Sequence, residues 1–348
     1  MAISPRNTKK FIACLGVAAA TAALGAGYST VAGGLPRFGA VAGLLIGLLL
    51  AAFELFFVQT PAGVWFRRLP LLVFIVIATL IWALLIGFSI YVATPYLLDI
   101  EIFPIEIDSR NVRGFVFAFG LAFLLTFFLR IESLIGGRVL FNFLIGRYRK
   151  PTREERVFMF LDIADSTRLS EQFGDVKIQA LIGRFFFDIA RPIAEHGGET
   201  YRYIGDEVVV SWPMAKALED FRCVRCVFDV QNLLDAHREE YQRLFGVVPR
   251  FRVGMHGGPV VIGEVGDSRR AIVYFGDTVS HAVALQSVCK RVGHDFLVSA
   301  DLMEKLRIGK GFASRFLGSL ELFPDGARVD AYALSSERCG GSRSAACG

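Results

Sequence analysis

The sequence predicts a mixed α+β domain, an antiparallel-rich sheet with helices on one face, carried behind an all-α region of four membrane-spanning helices. Two observations predict this. Charged residues thin out over 11–129, where four apolar stretches recur, and from residue 157 onward strand-like and helix-like patterns alternate between glycine turns. A chain of 348 residues has room for both parts.

The apolar stretches cover about 11–33, 38–58, 70–95 and 113–133, each near the ~20 residues a helix needs to cross about 30 Å of hydrocarbon. A cleaved signal peptide for the first and buried soluble helices for the rest are the competing readings. The close succession of four such stretches favours a transmembrane region over 1–135. Glu54, near the end of the second, reads as an interfacial carboxylate in preference to part of an ion pathway. Orientation follows from the short loops. The start SPRNTKK is basic, Arg67 and Arg68 separate the second and third stretches, and Arg138, Arg147, Arg149, Lys150, Arg153 and Arg156 follow the fourth. The loop after the third stretch, DIEIFPIEID, is acidic. Both termini and the domain beyond are therefore expected on the cytoplasmic side of the cell (inner) membrane. The net charge of +5 collects beside the spans, which points to membrane lipid and away from nucleic acid.

A juxtamembrane linker is expected over 136–156. Its RVLFNFLIGRYRK is amphipathic enough to lie along the membrane surface, or it continues the fourth helix. Six cysteines suit a reducing compartment better than a disulfide scaffold. Cys223 and Cys226 form a CxxC, but no second pair answers it, and their spacing suits one packed helix face better than zinc. Cys339 and Cys347 fall in a Gly/Ser-rich tail, 335–348, expected to be disordered.

The soluble domain spans 157–334. VFMFLDI reads as its first strand, 166–196 as a helix that stops at a Gly pair, and ETYRYIGDEVVVSW as a hairpin turning at Gly205. A second helical stretch covers about 215–245. RFRVGMHGGPVVIGEVG and AIVYFGD follow as strands, then a helix over about 278–292, FLVS and a short terminal strand pair.

Two acids carry the chemistry. Asp162 ends the first strand, and Asp206 sits at the tip of the hairpin, so pairing of the two elements lets the carboxylates converge. Such a pair makes a hard-oxygen site for Mg²⁺ or Mn²⁺, because a dication relieves the repulsion between them. The competing reading makes each a turn-capping aspartate. The small polar loop 163–167 opens a helix, so its backbone N–H groups can hold phosphate oxygens, with Ser166 and Thr167 adding hydroxyls or serving as the N-cap.

In this order and spacing FLDIADST, GGETYRYIGDEVVVSW, FRVGMHGGPVVIGEVG and VYFGDTVS resemble the catalytic domain of class III adenylate and guanylate cyclases. The resemblance covers about 155–334. It implies a ferredoxin-like palm that works as a dimer, with active sites at the interface. It also implies two Mg²⁺ or Mn²⁺ ions held by Asp162, Asp206 and the carbonyl of Ile163. The loop residues Ala164, Asp165, Ser166 and Thr167, together with Arg252, would bind phosphate. The reaction implied is attack of the ribose 3′-hydroxyl on the α-phosphorus, which releases pyrophosphate. ATP is expected ahead of GTP, giving a membrane-bound cyclase in signal transduction.

Several positions depart from the family pattern. Ser280 and Ala284 stand where it has the Asn and Arg that stabilise the transition state. Arg202 and Val273 stand at the base-reading positions, and Phe323 about where a phosphate-binding lysine is expected. Each active site would draw metal ligands from one protomer and transition-state groups from the other. The alternatives are therefore a homodimer with substitutes, the metal-side half of a heterodimer, or a degenerate subunit acting as a nucleotide sensor. YIGDEV also resembles the GGDEF signature of diguanylate cyclases, but Ile204 and Val208 break that pattern.

Overall fold

In a computed structural model of the chain, the described residues are 5–53, 69–98, parts of 112–127, 146–148, 150–267, 270–306, 312–322 and 328–336. The chain divides into two compact units, Met1–Phe141 and Asn142–Gly348.

The first unit contains α1 (Pro5–Val31), α2 (Pro36–Ala52) and α3 (Leu71–Leu98). Pro36 opens α2 at a position where its missing N–H costs nothing. α1 and α2 cross at Gly25, Gly39 and Gly43, where any Cβ would strike backbone of the facing helix. On α3 the side chains of Leu80, Leu84 and Phe88 face outward, 61%, 75% and 58% exposed. Among the described residues, one helical window, Cys14–Val31, is long and apolar enough to cross a membrane. Pro36–Ala52 and Val76–Ser89 are shorter apolar helices. The described positions within 112–127 are helical. Glu54, the end of the second apolar stretch, the acidic loop, most of the linker, Phe323 and the tail after 336 lie outside the described residues.

The second unit is built on β1 (Thr152–Ile163), α4 (Ser166–Phe173), α5 (Asp175–Glu195), β2 (Glu199–Ile204), β3 (Glu207–Pro213), α6 (Met214–Leu218), α7 (Arg222–Ala236) and α8 (Arg238–Phe245). It continues with β4 (Phe251–Val265), β5 (Ala271–Phe275), α9 (Asp277–Val292), β6 (Phe296–Ser299), α10 (Ala300–Leu306), β7 (Phe312–Glu321) and β8 (Arg328–Ser336). The sheet order is β2-β3-β1-β4-β6-β8-β7, with β5 added to β4. Of the pairings, β4 with β6 is parallel and the others are antiparallel.

β1 lies at the centre and is buried on both faces, which is why it reads as a near-continuous apolar run. Its odd residues, Val157, Met159, Leu161 and Ile163, pack into the main core with α5 and α7. Its even residues, Phe158 and Phe160, pack instead with Ala282 of α9, Val260 and Ile262 of β4, and Tyr148. Helices therefore cover both faces, against the expectation of one. α9 is the helix on the second face, because its Leu285, Val288 and Cys289 cluster with Leu297, Ala331 and Ala333 of the central strands.

Two expected helices are broken. The stretch 166–196 divides at Gly174, whose φ of 81° ends α4 and turns the chain into α5. The stretch 215–245 divides into α6, a 3₁₀ turn, α7 and α8, with Asp220 and Phe221 at positive φ. Cys223 and Cys226 are fully buried on α7, and burial pushes the Cys223 thiol up to about 12. Buried protonated thiols act here as small apolar side chains.

Candidate active site

Asp162 is the penultimate residue of β1, with Glu207 of β3 opposite it on one side and Arg252 of β4 on the other. Being an even residue of β1, it faces the side covered by α9. The β2–β3 hairpin closes through Gly205 and Asp206, with Ile204 paired to Glu207. Gly205, at φ 61°, takes the positive φ that a two-residue hairpin needs at its first central position. The turn thus sets Asp206 within hydrogen-bonding reach of Asp162, as strand pairing predicted.

Burial, followed by repulsion from Asp206 and a hydrogen bond shared with it, pushes the Asp162 carboxyl up to about 7, against the pull of Gln286 and Arg252. Burial, then Asp162 and Asp206, pushes Glu207 up to about 7 as well. Negative charge is therefore crowded at this strand end, and a bound cation would relieve it. Among the described residues no group of three or more His, Cys, Asp or Glu stands ready to hold a metal. A cation here would take its side-chain ligands from the aspartate pair, and two carboxylates with added backbone, water or phosphate oxygens suit Mg²⁺ or Mn²⁺.

Gln286 is a neighbour the sequence reading missed. Its Nε2 donates to Asp162 Oδ2 at 3.1 Å, from a side chain itself 9% exposed. The helix reaches this far because Gly254 of β4 lets it approach, a Cβ there colliding with the backbone of Ala282 and Gln286. Nothing local in the sequence signals that contact, which spans 124 positions.

The loop after β1 is tied down where Ala164 N–H donates to the Arg250 carbonyl at 2.8 Å. Asp165, not Ser166 or Thr167, is the N-cap residue of α4. It lies in the left-handed region, φ 59° and ψ 30°, and its side chain makes no capping bond. Ser166 and Thr167 form the first turn, the one half-buried and the other exposed. The Asp165 carboxylate instead accepts from Lys290 Nζ at 3.2 Å and from Arg252 Nη2 at 3.4 Å. These partners, the Lys290 hydrogen bond first, hold its carboxyl below the usual carboxylate range.

The remaining predicted positions lie on other elements. Arg202 is exposed on edge strand β2 with its guanidinium 5.1 Å from the Tyr201 ring centroid, and Val273 is half-buried on β5. Ser280 is exposed on α9, while Ala284, one turn on, is 6% exposed. Sequence reasoning thus located the aspartate pair, the loop and Arg252 and missed Gln286, Glu207 and Lys290. Glu207 was visible as the third letter of GDE. Gln286 and Lys290 lie one turn apart on α9, and their meeting with Asp162 and Asp165 depends on how that helix packs on the sheet.

Comparison with known proteins follows the same residues. Adenylate cyclase 2 of Rhizobium meliloti (strain 1021) is 38% identical over 230 residues, which is 66% of this chain and 63% of that protein. Adenylate cyclase 1 of the same organism is 31% identical over 164 residues, 46% of this chain and 24% of that protein. The chain thus spans less than two thirds of the length of either relative. The solved structure of a bacterial light-regulated adenylyl cyclase shares the fold, with a TM-score of 0.54 at 21% identity over 62% of this chain and 64% of that one. The family model for the adenylate and guanylate cyclase catalytic domain matches residues 149–335, more than half of the chain and all but the last residue of the sheet just described. The chain therefore belongs to the adenylate and guanylate cyclase catalytic-domain family.

Proposed function

We propose that the chain is a membrane-bound nucleotide cyclase that converts ATP, ahead of GTP, into cyclic nucleotide and pyrophosphate. The convergence of Asp162 and Asp206 beside the loop that opens α4 carries this reading. The two carboxylates, with the Ile163 carbonyl, would hold two Mg²⁺ or Mn²⁺ ions. When bound, such ions favour deprotonation of an attacking hydroxyl and offset charge on the transferring phosphoryl group. The chain's own residues do the rest. Gln286 fixes the rotamer of Asp162, the backbone N–H groups of 165–167 orient phosphate oxygens, the Ala164 N–H being taken by the Arg250 carbonyl, and Arg252 offsets their charge. The new bond joins the ribose 3′-oxygen to the α-phosphorus as its bond to the pyrophosphate oxygen breaks. Relatives named as adenylate cyclases support ATP.

The deciding experiment is turnover by the purified full chain with ATP and with GTP, each with Mg²⁺ and with Mn²⁺. Cyclic product from ATP is expected. No cyclic product from either nucleotide would leave a second reading, favoured by Ser280 and Ala284, in which the chain is the metal-side half of a heterodimer or a nucleotide sensor.

The crowded carboxyls give a second expectation. Folding lifts Asp162 from 3.8 to about 7 and Glu207 from 4.5 to about 7. Inside that window the unfolded chain has released protons that the folded domain keeps, so without a divalent cation stability falls as pH rises through it. Mn²⁺ or Mg²⁺ should restore stability at about pH 8, by about 2.7 kcal/mol at ~100 times its Kd. A thermal midpoint at that pH that ignores both cations would argue against a metal site.

Membrane anchoring by four helices, with both termini cytoplasmic, belongs to the same proposal. Outward apolar residues on α3 and the charge asymmetry of the loops support it. A reporter fused after residue 105 should read as external to the cytoplasm and one after residue 150 as cytoplasmic. Both on one side would remove the four-span arrangement.

A further inference from the structure

The loop proposed for phosphate already faces an anion of the chain's own making. The Asp165 carboxylate is 46% exposed, yet it lies 3.2 Å from Lys290 Nζ and 3.4 Å from Arg252 Nη2, both measured to the same oxygen. Its side chain makes no capping bond although it is the N-cap residue of α4, and its backbone holds a left-handed conformation that aspartate tolerates better than most L-residues. The conformation aims its side chain at two cations instead.

Those cations differ in kind. Arg252 is fixed, 15% exposed, on the strand beside Asp162, whereas Lys290 is a 73% exposed arm on α9. Lys290 is also one helical turn beyond Gln286, which holds Asp162. One face of α9 therefore addresses both the metal aspartate and the loop that follows it. Phe323, an apolar residue where a phosphate-binding lysine is expected, leaves a positive charge to be found elsewhere.

We propose that Arg252 and Lys290 form the cation pair that receives the nucleotide's terminal phosphates, and that Asp165 occupies this pair until a triphosphate displaces it. Lys290 then supplies the charge lacking at Phe323. Asp165 acts as a built-in competitor that a triphosphate, with several charged oxygens, overcomes and a singly charged anion does not. It is a specificity residue, raising the threshold against anions of lower charge than a triphosphate. The inference rests on the cyclase reading of this site.

The test uses the purified full chain and inorganic tripolyphosphate, titrated by calorimetry at constant Mg²⁺. Lys290→Ala should weaken binding about tenfold and Lys290→Arg should retain it, while Asp165→Asn should tighten it about threefold. Damage to the loop would weaken both sites' variants, so the opposite signs are the signature. Affinities within twofold of one another for all variants, or weakening by Asp165→Asn, would overturn the proposal. Cyclic product from ATP and GTP is measured in parallel. Product with unshifted affinities removes the cradle and keeps the cyclase. Opposite shifts without product from either nucleotide keep the cradle as an anion site and remove the cyclase.

Discussion

Replacing Asp162 or Asp206 by alanine should lower metal-dependent cyclic nucleotide formation by on the order of 10³-fold while leaving the domain folded. Each substitution removes a proposed metal ligand and no core volume. The structure sharpens the expectation about stability. Asp162 is half-buried beside Asp206 and Glu207, and its carboxyl is pushed up to about 7, so without a cation its charge opposes the fold. Asp162→Ala should therefore be at least as stable as the wild type in chelator at about pH 8, and should lose the stabilisation by Mn²⁺. Activity near the wild-type level in either folded variant would remove the aspartate pair from the chemistry. Gln286→Ala is the milder companion. It frees one oxygen of Asp162 and should reduce turnover less than loss of the carboxylate itself.

The double substitution Ser280→Asn with Ala284→Arg should raise turnover of the homodimer by about 10²-fold or more if the rest of each site is competent, because a guanidinium offsets charge on the transferring phosphoryl group. The two positions differ in surroundings. Ser280 is exposed and accepts asparagine freely, whereas Ala284 is 6% exposed within its own protomer. It stands next to the exposed stripe of α9 that includes Val283 and Ser287, so a long arginine stem can run to the surface from a buried Cβ. Mixing the wild type with a cyclase that has the Asn and Arg but lacks the metal aspartates should give activity that neither has alone, provided the interfaces match. A fully active wild-type homodimer that gains nothing from the pair would end the half-site reading. Other residues would then make the transition-state contacts.

Residue types alone carried much of the site. An acid after VFMFL, a glycine followed by an acid inside a β-rich hairpin, and a polar loop ahead of a helix each have a local physical meaning. Strand pairing then had one economical way to bring Asp162 and Asp206 together, and the register of β1 with β3 agrees. The limits were also physical. A helix of the length expected over 166–196 carries unbroken apolar spacing, and only the φ of 81° at Gly174 reveals that two helices meet there. Asp165 was legible as a loop residue with phosphate-binding neighbours. That its carboxylate turns toward Lys290 depends on a left-handed backbone and a helix 125 positions away.

By itself the sequence determined the division into an apolar first part and an α+β second part, the strand-end aspartates, the hairpin turn at Gly205 and the resemblance that the family match bears out. These are properties of short segments, set by side-chain period, backbone freedom at glycine and the cost of dehydrating a carboxylate. Only the tertiary structure decided that α9 covers the second face of the sheet, that Gly254 admits it close enough for Gln286 to hold Asp162, and that Lys290 and Arg252 converge on Asp165. Those contacts join residues scores of positions apart. They exist because buried apolar faces on both sides of β1 must be covered, and covering them fixes which polar side chains meet at its end.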